Sequence, residues 1–89
     1  MPLNIIIAED DENLANSLSR DCEKVQDIRV VATVQNGKRL VQLAMEMNPE
    51  VVITDIKMPG ISGIQAARRI REYNPDIDII FLTAYEDFV

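Results

Sequence analysis

The stretch Leu3-Asn4-Ile5-Ile6-Ile7-Ala8-Glu9-Asp10-Asp11-Glu12 decides how the rest of the chain is read. Three consecutive isoleucines leave no polar face. A β-branched run of this kind reads as a strand covered on both sides, which is what a parallel sheet requires. The run then breaks into four acids. Strand followed by polar turn is the start of a strand–helix unit, and the next apolar residues, Leu14, Leu18, Cys22 and Val25, recur at steps of four and three. That spacing predicts one face of a helix, with Asp11 or a neighbour capping its start.

The same alternation repeats. Ile28 to Val34 is a second β-branched run. Asn36-Gly37 breaks it, and Asn36 is placed to cap a helix whose face carries Leu40, Val41, Ala44 and Met47. Asn48-Pro49 ends that helix, because proline disfavours a helical residue before it. Val51 to Thr54 is a third strand, ending in Asp55. Pro59 and Gly60 punctuate the following loop. Ser62 is a candidate cap for a third helix bearing Ile64, Ala67 and Ile70, which Asn74-Pro75 stops. Ile77 to Leu82 is a fourth strand, interrupted by Asp78, and 83–89 reads as a loop leading toward another helix. Strand and helix alternating through short connections predict an α/β fold with a parallel sheet and right-handed crossovers.

Composition narrows the function classes. The chain has 89 residues, of which 47% are hydrophobic and 27% charged, so it reads as one globular domain. No apolar run is long enough to span a membrane, and Met1-Pro2-Leu3-Asn4 lacks the positive flank of a signal peptide. Cys22 is the single cysteine, so no internal disulfide forms, which favours a reducing compartment and a cytoplasmic location. Nine Lys+Arg against 15 Asp+Glu give a net charge of −6, which argues against nucleic acid bound by this segment. The lack of histidine and of a cysteine pair argues against a zinc site as well.

Two acidic groups stand at carboxyl ends of strands, Glu9 and Asp10 after the first and Asp55 after the third. Open α/β sheets bind ligands there. If these strands are neighbours, about 5 Å apart, the three carboxylates meet in one crevice. Like charges ~4–5 Å apart repel by roughly 3–4 kcal/mol at an effective dielectric near 20. A proton or a cation must offset this, and oxygen donors without imidazole or thiolate select hard cations, Mg²⁺ above all. Acids after a strand also cap helices, and Asp11 and Glu12 fit that role best. Glu9 and Asp10 fit either role, whereas Asp55 precedes no helix start. A carboxylate next to a bound cation is suited to attack a phosphoryl group. Thr83, just after the fourth strand, offers a hydroxyl at the same sheet edge and is equally a turn-forming residue.

Three segments taken together, Ile5 to Asp11, Val52-Ile53-Thr54-Asp55-Ile56-Lys57-Met58-Pro59-Gly60-Ile61-Ser62-Gly63, and Ile80-Phe81-Leu82-Thr83-Ala84, resemble a response-regulator receiver domain of two-component signalling. The resemblance implies a flavodoxin-like doubly wound sheet of order 2-1-3-4, with a fifth strand following in family members. It implies that Asp55 accepts a phosphoryl group from a phosphohistidine on a sensor histidine kinase. It implies that Mg²⁺ is held by Glu9, Asp10, Asp55 and the backbone carbonyl of Lys57, and that Thr83 is the switch hydroxyl. Family members run on through a fourth helix, a fifth strand and a fifth helix, so 1–89 is expected to be a C-terminally truncated receiver domain. It lacks the family's strand-five lysine, and Lys57 does not stand in that lysine's place. An open strand edge would promote self-association. A transcriptional output is implied by resemblance alone. Two other readings stay in view: an interaction domain that is not phosphorylated, and a Mg²⁺-dependent phosphohydrolase. The latter usually places a second acid two residues after its nucleophile, where this chain has Lys57. A nucleotide site lacks a glycine-rich phosphate loop after the first strand.

Overall fold

The structure is a computed structural model, and residues 2–82 of it are described. Seven elements follow one another: β1 (Leu3–Ala8), α1 (Glu12–Glu23), β2 (Ile28–Val34), α2 (Gly37–Met47), β3 (Val51–Asp55), α3 (Gly63–Tyr73) and β4 (Asp78–Leu82). The four strands form one parallel sheet in the order β2-β1-β3-β4. This order positions the site. From β1 the chain steps to one side, to β2. It then returns past β1 to β3 and continues outward to β4. Right-handed crossovers put helices on opposite faces when the direction of travel reverses. The reversal leaves a switch point between β1 and β3.

The packing agrees with this geometry. Ile6, Ala8 and Val52 share a buried cluster with Leu40, Val41 and Ala44 of α2 and with Ala66 and Ile70 of α3. Alternation along β1 turns Ile5 and Ile7 to the other face, and both are buried. Here α1 lies against β1 and β2. The β1–β2 register slips by one residue between Ile5 and Ile6, which leaves Val31 as the extra residue of a bulge.

The caps anticipated in the sequence are present. The Asp11 side chain accepts from the backbone N–H of Asn13 and Leu14, and Asn36 accepts from Arg39. Ser62 forms a reciprocal capping box with Gln65, its hydroxyl accepting from the Gln65 N–H while the Gln65 side chain accepts from the Ser62 N–H. Asn48 closes α2 in the left-handed conformation, at φ 46°.

Three details of the helix faces differ from the expectation. In α1 the buried residue is Ala15, while Leu14 is exposed and Val25 lies beyond the helix end. In α2 Met47 is exposed, and in α3 Ile64 is exposed while Ala66 and Ala67 are buried. In each case a small side chain is buried while a larger neighbour stays outside; α1 packs on β1 and β2, and α3 packs on α2. β4 begins at Asp78, and Ile77, placed in the strand by its sequence, precedes it as a buried core residue. Among the described residues no helix is long and apolar enough to cross a membrane.

Candidate metal and phosphoryl site

Parallel pairing of β1 with β3 sets Ala8 beside Thr54, so the residues that follow, Glu9 and Asp55, leave the sheet side by side at the switch point. One carboxylate oxygen from each of Glu9, Asp10 and Asp55 lies within 4.8 Å of the others. The sequence places three acids from two distant segments together, and the structure does so. Glu9 is buried, Asp55 half-buried and Asp10 exposed, so the crevice opens to solvent on the Asp10 side.

Glu9 is the electrostatically strained member. Its backbone N–H donates to the Val34 carbonyl at 2.9 Å, which ties it to the end of β2. Its Oε2 accepts from the Asp11 N–H at 2.9 Å. Burial raises its pKa from 4.5 to about 7, and the neighbouring Asp10 and Asp55 push the same way, against the lowering effect of the Asp11 N–H. A buried acid facing two others holds a proton in the absence of a cation. The donor set is all oxygen, with one member exposed to water. It fits a hard divalent ion that keeps part of its hydration shell.

The backbone around Asp55 is held by groups that the sequence reading did not single out. Thr54 is fully buried, and its hydroxyl donates to the Asp55 carbonyl at 2.9 Å. The Gly63 N–H donates to the Ile56 carbonyl at 2.8 Å. A β-carbon on Gly63 would land on the Asp55 carbonyl oxygen. So α3 starts directly against the backbone of the acid. The signal was a glycine at the first position of a well-capped helix, a place where other residues serve better unless something packs close. Asp11 and Glu12 serve the start of α1: Asp11 caps it, and Glu12 sits in its first turn. Lys57 is exposed in the loop after β3. Thr83 and Ala84 lie outside the described residues.

An open, doubly wound parallel sheet with acids gathered at its switch point defines a class of ligand-binding α/β domain. Within that class, a response regulator receiver domain family model matches residues 5–89, and the chain belongs to that family. It is 41% identical over 90 residues to the sensory transduction protein LytT of Oceanobacillus iheyensis, covering 99% of this chain and 37% of the relative. It is 37% identical to the oxygen regulatory protein NreC of Staphylococcus haemolyticus, covering 96% and 40%. Among solved structures, a LuxR-family DNA-binding response regulator from Staphylococcus aureus superposes with a TM-score of 0.87 at 33% identity, covering 94% of this chain and 70% of that one. A LuxR-family two-component response regulator from Aurantimonas sp. gives 0.89 at 26% identity, covering 93% and 59%. The chain spans about two fifths of the length of the curated relatives it matches.

Proposed function

We propose that the domain takes a phosphoryl group onto the Asp55 side chain from a phosphohistidine of a sensor histidine kinase. The observation that carries this is the convergence of Glu9, Asp10 and Asp55 within 4.8 Å at the switch point of a receiver-family sheet. In the transfer, an Asp55 carboxylate oxygen attacks phosphorus. The bond from phosphorus to the partner's imidazole nitrogen breaks, and its electron pair stays on the imidazole. Mg²⁺ at this site would screen the charge between the attacking carboxylate and the phosphoryl oxygens. Glu9, Asp10, Asp55 and the Lys57 carbonyl are the groups assigned to hold it, with Glu9 releasing its proton on loading.

Asp55 is suited to the acceptor role because its backbone is fixed from both sides while its side chain stays half-open to a partner. Thr83, outside the described residues, is assigned by resemblance the hydroxyl that donates to the transferred group. On this reading the domain is a phosphoryl acceptor and not a turnover enzyme, and it works in the cytoplasm. The phosphohydrolase alternative is disfavoured, because Lys57 occupies the position that a general acid would need. One relative is named transcriptional regulatory protein DegU, which supports a transcriptional output for the whole protein.

The test is uptake from a small phosphodonor with and without Mg²⁺. One phosphoryl group per chain, lost in Asp55→Asn and weakened in Asp10→Ala, supports the reading. Steady release of phosphate from monoesters would favour the hydrolase instead.

A further inference from the structure

Gly37 was legible in the sequence only as the end of the second strand's run. Its place in the fold is more specific. It is the first residue of α2, is buried, and follows the cap Asn36. Its backbone lies outside the left-handed region, since Gly60 is the positive-φ glycine among the described residues. Nothing in its own conformation therefore calls for glycine, and alanine is the better helix former. The reason lies across the molecule. A β-carbon on Gly37 would stand 2.6 Å from both the carbonyl oxygen and Cγ1 of Ile61. Real contacts of that kind do not reach so close, so one side would have to move.

Ile61 belongs to the loop that carries Asp55 to α3. At its root that loop is closed by the Gly63 N–H on the Ile56 carbonyl, with α3 seated on the Asp55 carbonyl. Gly60 turns the chain at φ 79°, and Ile61 then packs on the core beside α2. The segment 56–62 is thus pinned at its root by Gly63 and near its far end by Gly37. Lys57 lies between the two pins.

We propose that Gly37 is a positioning residue for the site: by omitting a β-carbon it seats Ile61, and this fixes where the loop presents the Lys57 carbonyl, beside the strand-held Asp55, to a divalent cation. The proposal rests on the reading of the acid cluster as a cation site. Gly37 touches neither the cation nor the phosphoryl group, and it acts through Ile61. Supporting groups around a metal's own ligands set its affinity by holding those ligands in place.

Calorimetric titration of Mg²⁺ into metal-free protein tests this, with the denaturant midpoint measured alongside. Gly37→Ala is expected to bind Mg²⁺ roughly tenfold more weakly. Ile5→Val, which trims a buried residue outside the cluster that Ile61 packs against, is expected to lower the midpoint and keep wild-type affinity. Equal affinity in Gly37→Ala and wild type overturns the proposal. So does an equal loss of affinity in Ile5→Val, because Gly37 would then act through stability alone. If Gly37→Ala does not fold, Ile61→Ala decides: weaker Mg²⁺ binding supports the assignment and unchanged binding overturns it. Wild-type protein that takes up no Mg²⁺ would instead overturn the reading of the site itself, a result distinct from the others.

Discussion

Glu9 couples the fold to the chemistry of the site. Its proton is held up to about pH 7 in the folded chain, against an ordinary value of 4.5. The unfolded chain releases that proton at lower pH, so the sign follows from linkage. The contribution to metal-free stability is full below pH 4.5 and is lost as the pH rises through 7. Chemical unfolding without divalent ions should therefore show stability declining across that window, and Glu9→Gln should flatten the decline. A loaded site needs the ionised carboxylate, so Mg²⁺ affinity should climb over the same range, which calorimetry at a series of pH values would read. Thr54 supports the neighbouring acid: Thr54→Val removes the donor to the Asp55 carbonyl and should cost about 1 kcal/mol in denaturant unfolding.

At the scale of elements, strands and caps were legible and helix faces less so. Each strand is an apolar run ended by a polar or turn residue, and buried parallel strands have no competing pattern. Asp11, Asn36 and Ser62 were readable as caps because their short side chains reach the free N–H groups of the first turn. Ser62→Ala should cost roughly 1 kcal/mol of stability, since it removes one half of a reciprocal pair. The faces were misread at Leu14, Met47 and Ile64, where size was taken as a sign of burial. Whether a position lies at the centre of a contact or on its shoulder depends on which neighbour the helix packs against and how closely. Ala15 and Ala66 are buried there, and the periodicity of large residues does not single them out. The acid trio was legible because it needs only strand ends and strand order. Gly37 and Gly63 act through contacts with other segments, which no local pattern encodes, and the Thr54 hydroxyl bonds its neighbour's carbonyl only in the backbone conformation that the fold sets.

For the whole molecule, the reversal of chain direction between β1 and β3 does most to place the site. Two strand ends become neighbours there although more than 40 residues separate them. The far side of the sheet is less well covered. β4 is a terminal strand of the described sheet, and on it Ile80 and Phe81 are 51% and 42% exposed. Open strand edges with apolar side chains pair with one another. Where nothing covers that edge, chains should self-associate with rising concentration, and Ile80→Lys should reduce the mass seen by light scattering. A wild-type chain that stays monomeric at high concentration would contradict this.

On the proposed function, acids from β1 and β3 make one cation site that turns Asp55 into a phosphoryl acceptor. Mass spectrometry of the protein after incubation with a small phosphodonor and Mg²⁺ tests it most directly. A single phosphoryl adduct located at Asp55, absent when Mg²⁺ is withheld, is the expected result. An adduct at another residue, or uptake at Asp55 indifferent to Mg²⁺ and to Asp10→Ala, would contradict it.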